Sequence, residues 1–233
     1  MSAGGLAPAQ TLELPGGGRA MFTTRADGNM SSVGGEDAER AAQARERLRE
    51  QLGVRCLVRG DQEHGTLVRR VRAAPAREPA HAELGRADGQ ATALANVGTM
   101  VLAADCLPVA LGCDGAVATV HAGWRGLAAG VLEQGVLALR ELAGDEVPIV
   151  AIVGPGAGAC CYEVGREVHE AFGGAHRAGA SIDLRAIAHE RLAAAGVVHV
   201  RDVDACTICD ERYFSHRREG ARAGRQVGVA WLS

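Results

Sequence analysis

Apolar runs separated by polar and glycine-rich breaks predict a succession of short strands and helices along this chain. Arg19 to Arg25 predicts a short strand that leads into a Gly- and Ser-rich loop, Ala26 to Gly35. Asp37 to Leu52 is rich in Ala, Glu and Arg and is stopped by Gly53, which predicts a helix. Val54 to Val58 and Thr66 to Val71 predict strands, with His64-Gly65 at a turn between them. Ala73 to Gly89 is polar and proline-containing and reads as a surface excursion suited to a specificity loop.

The middle of the chain carries more information. Thr99 to Leu102 is apolar, and Leu107 to Leu111 and Ala116 to Val120 predict two strands around Gly112-Cys113-Asp114-Gly115. With Cys113-Asp114 as a two-residue turn, Gly112 faces Gly115 and Leu111 faces Ala116. The pairing then continues until Cys106 faces His121, with Cβ atoms about 4.5 to 5.5 Å apart. Past His121, Leu127, Val131, Leu132, Val136 and Leu139 recur with helical spacing and predict a helix over Trp124 to Leu142. Its N-terminus would place exposed amides near the Cys-His pair, where they favour an anion or a thiolate.

Alternation continues in the second half. Pro148 to Val153 predicts a strand, Glu163 to Phe172 a helix, and Asp183 to Ala195 another helix capped by Ser181 or Asp183 and ended by Gly196. Val197 to Val200 and Gln226 to Leu232 predict further strands, with an Arg-rich turn before the latter. No internal repeat interrupts this order. The central hairpin requires an antiparallel pair, so an α/β protein with mixed, partly antiparallel sheets fits better than a purely parallel doubly wound fold.

Composition narrows the class. The 233 residues suit one domain over 1–233 with a flexible start over about 1–18. Aromatics make up only 3%, so Val, Leu, Ile and Ala must build the core. A net charge of -3 with scattered arginines gives no reason to expect a nucleic-acid partner. No run approaches the roughly 18 apolar residues of a membrane span, and the first block lacks a basic n-region and an apolar h-region. The expected setting is therefore the cytoplasm, without a membrane partner. Seven cysteines, an odd number, agree with a reduced compartment better than with a disulfide scaffold.

Chemistry concentrates in Asp105-Cys106 and in the segment His121 to Gly126. On the residues alone the Cys106–His121 pair has three readings: zinc ligation, a cysteine nucleophile, or a buried Cys beside an ordinary turn His. A catalytic zinc needs three protein ligands and an open position, and His64 beside Gly65 is the attractive third donor. Asp105 joins Cys106, as a supporting or acid/base residue, only if the chain bends there. Cys206 and Cys209 form a CxxC spacing that could bind half of a structural zinc or exchange a disulfide, but no matching second CxxC completes a site, so the pair reads as structural or incidental and Cys160-Cys161 as packing residues. The loop Gly154 to Cys161 lacks the Lys-Ser/Thr end of a nucleotide-binding loop and reads as a tight turn. Arg25, Arg125 and Arg217 are candidates for anion or substrate contacts, given the bidentate geometry of the guanidinium.

The chain resembles the family formerly named multicopper polyphenol oxidases, or laccase-domain proteins, regarded as zinc-dependent purine nucleoside phosphorylases and deaminases. The likeness rests on FTTR (Phe22 to Arg25), His64-Gly65, Ala87-Asp88, ADCLPV (Ala104 to Val109), HAGWRG (His121 to Gly126) and GPGAGACCYEVG (Gly154 to Gly165). It continues through DLRAIA (Asp183 to Ala188), Cys206-Thr207, FSHRREG (Phe214 to Gly220) and GRQ (Gly224 to Gln226). These blocks keep the family's order over nearly the whole chain beyond residue 20.

The resemblance implies a layered α/β/β/α sandwich and a zinc site of His64, Cys106 and His121. It implies phosphorolysis of purine nucleosides with inorganic phosphate, methylthioadenosine included, and hydrolytic deamination of adenosine. Copper, with phenol oxidation, is the runner-up metal. A cysteine hydrolase built on Cys106 and His121 would use the same pair without a metal, and a non-catalytic ligand-binding module would use the pocket without turnover. The sequence departs from the family pattern at Glu63, at Ala44, in the loop ADGNMSSVGG and at Cys209, which points to an altered substrate preference. It sets no oligomeric state.

Overall fold

Strands buried on both faces dominate this chain, and their sequences are accordingly runs of small and branched residues with little alternation. In the computed structural model, which describes residues 10–32, 38–74 and 81–233, every residue of Leu107–Cys113 and Ala116–Ala122 is buried. In chain order the first strands are β1 (Thr11–Glu13), β2 (Gly18–Phe22), β3 (Cys56–Asp61), β4 (Val68–Val71), β5 (His81–Arg86), β6 (Gly89–Thr92) and β7 (Val97–Ala103). The hairpin β8 (Leu107–Cys113) and β9 (Ala116–Ala122) follows, then β10 (Ile149–Val153), β11 (Arg177–Ala178), β12 (Ser181–Ile182), β13 (Val197–Asp202) and β14 (Gln226–Leu232). The helices are α1 (Ala38–Leu52), α2 (Trp124–Ala129), α3 (Val131–Ala143), α4 (Arg166–Ala171), α5 (Leu184–Ala194) and α6 (His216–Glu219).

Two six-stranded sheets result, one ordered β1-β2-β14-β7-β3-β5 and the other β13-β10-β8-β9-β6-β4. Both are mixed: β3 runs parallel to β5 and β7, and β10 parallel to β13, while β8, β9 and β14 pair antiparallel with their neighbours. Alternate residues of each strand serve different layers. Ala20, Phe22 and Ala230 point between the sheets to meet Ala110, Val117 and Ile152, whereas Met21, Val229 and Trp231 point outward to Ala44 and Leu48 of α1. On the far side, Val109, Leu111 and Val120 meet Leu132, Val136 and Leu139 of α3 and Ile187 and Leu192 of α5. The layers are therefore helix, sheet, sheet, helix, the α/β/β/α arrangement expected from the resemblance.

Several local expectations are corrected. Cys113 pairs with Ala116 and Pro108 with His121, so the hairpin turns at Asp114-Gly115 and the expected register is two positions off. Both strands are buried on both faces, so no polar stripe fixes the register and the turn chemistry decides it; Gly115 adopts a φ of 82°. Cys106 thereby lies just outside β8 and does not face His121. The single helix expected over Trp124 to Leu142 divides into α2 and α3 at Gly130, where φ is 96°. The helix next to the Cys-His pair is consequently only six residues long, which weakens the expected macrodipole contribution.

Within the expected excursion Ala73 to Gly89, β5 adds an edge strand beside β3; residues 75–80 lie outside the described residues. Of the start expected to be flexible, residues 1–9 lie outside the described residues, while Thr11–Glu13 pairs with β2. No helix among the described residues is long and apolar enough to cross a membrane.

Candidate active site and metal centre

The three predicted metal ligands come from three separate stretches of chain. His64 sits between β3 and β4 with a positive φ of 60°, Cys106 follows a bend at Asp105 where φ is 85°, and His121 lies one residue from the end of β9. The bend at Asp105 is the one that lets Asp105 and Cys106 share a site. Cys106 Sγ lies 3.7 Å from His64 Nε2, and the two imidazole rings meet edge to face with centroids 4.9 Å apart. One ligand atom from each of the three residues falls within 4.8 Å of the others. Gly123 permits this approach, since a Cβ there would lie 2.5 Å from the His64 ring and 3.1 Å from the Cys106 sulfur.

Asp88 organises the cluster. Its buried carboxylate accepts the backbone N–H groups of Glu63, His64 and Gly65 at 3.1, 2.9 and 2.7 Å, so three successive amides form a nest around it. The same carboxylate lies 2.8 Å from His121 Nδ1, which therefore carries its proton toward Asp88 and leaves Nε2 for the site. Burial pushes the Asp88 carboxyl up, but the bonds from His121 and from the Glu63 and Gly65 amides outweigh it and hold the group below its ordinary value. In the sequence, Ala87-Asp88 stood out only as part of the resemblance; no spacing signal revealed its role, because its partners lie over twenty residues away.

Charge in the cluster is coupled. Burial raises the Cys106 thiol, yet the His121 charge and hydrogen bonds from both histidines bring it down to about 6. Burial lowers His121, yet the Cys106 thiolate and Asp88 carry it up to about 9. Each of the two groups thereby favours the charged form of the other. Two imidazoles and a thiolate suit zinc, with three protein ligands leaving a fourth position open. The same donor set also accepts copper, so the ligands alone do not choose the ion.

A cavity of about 670 Å³ opens onto these residues, lined by Arg59, Gln62, Trp124, Arg125, Tyr162, His216, Arg217 and Arg225 among others. This volume lies within the range of small-molecule sites. A second hollow of about 660 Å³ at the end of α1 has no His or Cys in its lining and offers no comparable chemistry. Two of the predicted arginines, Arg125 and Arg217, line the main cavity; their guanidinium groups lie 4.3 Å from the Trp124 ring centre and 5.1 Å from the Tyr162 ring centre. Arg217 also donates to the Glu163 carbonyl at 2.6 Å.

Arg25 is not among the lining residues. Its guanidinium pairs with Glu219, donates to the Tyr213 carbonyl at 3.0 Å and stacks on Phe214, so its donors are engaged in holding the last quarter of the chain. Asp105 lines the cavity, but its two oxygens accept the Thr207 hydroxyl and the Arg217 backbone N–H, each at 2.7 Å. That pattern makes it a tie between two loops. Arg225, part of the Arg-rich turn before β14, also lines the cavity, whereas Arg59 and Gln62 are lining residues that sequence reasoning missed, since neither belongs to a motif. Glu63 forms an exposed pair with Arg86 at 3.2 Å, while residues 33–35 of the atypical early loop lie outside the described residues.

Comparison with known proteins agrees with this picture. A family profile described as multi-copper polyphenol oxidoreductase laccase matches residues 17–233. A Xylella fastidiosa protein named purine nucleoside phosphorylase is 38% identical over 94% of this chain and 88% of its own length. A Pseudomonas aeruginosa protein of the same name is also 38% identical, over 92% of this chain and 93% of its own. Among solved structures, a Neisseria meningitidis protein superposes with a TM-score of 0.83 at 30% identity, covering 97% of this chain and all of that one. With sequence motifs, layered fold and histidine-cysteine cluster in agreement, the chain belongs to the multi-copper polyphenol oxidoreductase laccase family, whose relatives above are named purine nucleoside phosphorylase.

Proposed function

We propose that this chain is a zinc-dependent purine nucleoside phosphorylase that also deaminates adenosine, with methylthioadenosine as a further phosphorolysis substrate. The observation that carries the reading is the cluster of His64, Cys106 and His121 opening into a cavity lined by four arginines, Arg59, Arg125, Arg217 and Arg225. The names of the relatives supply the substrate class. The reading sets the enzyme in the cytoplasm.

His64, Cys106 and His121 would hold the metal, with Asp88 fixing the His121 tautomer. When bound, zinc supplies Lewis acidity and lowers the pKa of bound water. Zinc is favoured over copper because, among the described residues, His216 is the one further histidine in the cavity lining, too few for a multi-copper centre. Arg125 and Arg217 bring positive charge to the cavity and serve to bind and orient phosphate toward C1′ of the ribose. In phosphorolysis a phosphate oxygen bonds to C1′ as the C1′–N9 bond breaks, and the bonding pair leaves with the purine. Burial and the Cys106 charge push the Tyr162 phenol up to about 12, so it stays a hydrogen-bond donor to substrate at neutral pH. Trp124 gives the cavity a flat apolar wall for a base.

A chromatographic assay of zinc-loaded protein with adenosine, with and without phosphate, tests this reading beside a Cys106→Ala control. Phosphate-dependent adenine or phosphate-independent inosine from the unaltered protein alone supports it. Absence of both, and of adenine from methylthioadenosine, overturns it. The neighbouring Cys106 and His121, with Asp88 behind the imidazole, also favour a second reading, a cysteine hydrolase. Activity that survives chelation but is lost on alkylation of Cys106 selects that reading.

A further inference from the structure

Cys160, Cys161, Cys206 and Cys209 span fifty residues of sequence, yet all four sulfurs lie within 4.8 Å of one another. The vicinal pair lies in the loop after β10 and the CxxC pair in the loop after β13, and the parallel pairing of β10 with β13 sets the two loops side by side. An isolated parallel bridge between Gly156 and Cys206 continues that pairing. It is closed by Gly156 N–H to Ala205 O at 3.3 Å and Thr207 N–H to Gly156 O at 3.0 Å. The backbone thus fixes the approach of the thiols.

We propose that these four cysteines form a second metal site, a tetrathiolate centre that binds zinc independently of the histidine-cysteine cluster. The shorter sulfur separations are 3.5 Å for Cys160–Cys161, 3.5 Å for Cys160–Cys209, 3.4 Å for Cys161–Cys206 and 3.1 Å for Cys161–Cys209. Zinc-sulfur bonds of about 2.3 Å at tetrahedral angles place ligand sulfurs about 3.8 Å apart. The observed separations lie near that edge length and well beyond the roughly 2.05 Å of a disulfide. The sulfurs also converge as a group of four, whereas disulfide formation requires only pairs. Sulfur-only, tetrahedral donor sets take zinc or iron rather than magnesium or calcium, and zinc needs no redox partner.

The surroundings match a thiolate centre. Gly158 donates its N–H to the Cys206 sulfur at 3.2 Å, and a Cβ at Gly158 would come within 3.3 Å of that sulfur and 3.2 Å of the Cys160 sulfur. Arg218, itself paired with Glu219 at 2.7 Å, donates to the Thr207 and Ile208 carbonyls at 2.7 and 2.9 Å and so holds the CxxC turn in place. Such outer contacts orient ligands. The centre also bears on the cavity: Tyr162 follows Cys161 directly, and Thr207, between the two CxxC cysteines, holds Asp105. Its ion would tie the loop that carries the cavity-lining Tyr162 to the loop that holds Asp105, without touching substrate.

Metal counting on the full chain decides the matter. Reduced protein is incubated with zinc chloride, freed of loose ion by gel filtration and analysed by mass spectrometry for zinc per chain. The expected result is one tightly held zinc in Cys106→Ala and its loss in the triple variant that adds Cys206→Ser and Cys209→Ser. Cobalt loading of Cys106→Ala gives intense sulfur-to-cobalt charge-transfer absorption, and Cys160→Ser in the same background weakens it, which keeps the test intact should the triple variant fold poorly. A folded Cys106→Ala chain that binds no zinc, or an added Cys160→Ser that leaves the cobalt spectrum unchanged, overturns the proposal. So does recovery of the four cysteines as two disulfides that persist without added oxidant, each seen as the loss of two hydrogen masses. Because these arms are read with Cys106 removed, they stand apart from the proposed nucleoside activity.

Discussion

Asp88→Asn perturbs the site without changing its shape. The carboxylate accepts from His64 N–H and His121 Nδ1 on one oxygen and from Glu63 and Gly65 N–H on the other. An amide keeps one acceptor and turns the other into a donor, so in either orientation two donors lose their acceptor and face N–H groups. Hydrogen bonds to a charged group contribute about 1.5–3 kcal/mol each, which sets the loss at about 3–6 kcal/mol for two. Against a typical total of about 5–15 kcal/mol this is severe but survivable, and for a chain of this size it lowers the unfolding midpoint by on the order of 10 °C. If the amide nitrogen faces His121, the ring must protonate Nε2 instead and loses that donor to a metal. Zinc affinity, measured by competition with a chelator, is expected to fall about 10- to 100-fold. Scanning calorimetry on the metal-free chain supplies the stability arm. An unchanged zinc affinity together with a midpoint shift below about 2 °C would refute the assignment of Asp88 as the organiser of the site.

Gly123→Ala drives a methyl into the His64 ring and the Cys106 sulfur, and overpacking of this kind costs about 1–3 kcal/mol; zinc titration should show weakened binding in a chain whose circular dichroism is unchanged. Both tyrosines are held protonated by burial, Tyr162 up to about 12. Between pH about 10 and 12 the unfolded chain therefore releases protons that the folded chain keeps, so stability falls as pH rises through that window, and phenolate absorbance should appear later in native than in urea-unfolded protein. Leu139→Ala, a fully buried position where α3 packs on the second sheet, should cost about 2–5 kcal/mol by urea unfolding. Arg125→Gln should raise the KM for phosphate about tenfold, close to 1.4 kcal/mol, while zinc content stays constant.

The mixed α/β class was legible because runs such as Leu107 to Leu111 and Pro148 to Val153 are short and apolar, while α1 and α5 carry clear stops at Gly53 and Gly196; the layering itself came from the family resemblance. Register was not. Hairpin β8–β9 is buried on both faces, so shifting it by two residues keeps each side chain on its own face, and the apolar pattern does not separate the two registers. The three candidate metal ligands were singled out chiefly through the family motifs, since a turn beside Gly65 is the only local signal at His64. Arg59 and the partners of Asp88 reach the site through chain crossings that no window of sequence contains. The four-cysteine cluster escaped for the same reason: half of it is a CxxC, but its other half is a vicinal pair forty-five residues earlier, joined only by the β10–β13 pairing.

The position of β14 has a consequence for the order in which the molecule assembles. Its residues pair with β2 on one side and β7 on the other, so Gly228 sits beside Phe22 across almost the full separation of the chain. The hairpin β8–β9, by contrast, closes over a two-residue turn and carries His121, with Cys106 at its foot. Loop closure favours the hairpin first and the β2–β14–β7 ladder late. Two of the proposed zinc ligands are thus neighbours early in folding, whereas Arg217 and Arg225 reach the cavity only with the segment that leads into β14. Mutations in β14 should therefore act mainly on the rate at which a finished cavity forms, and a refolding time course would show hairpin-level structure well ahead of a substrate-competent pocket.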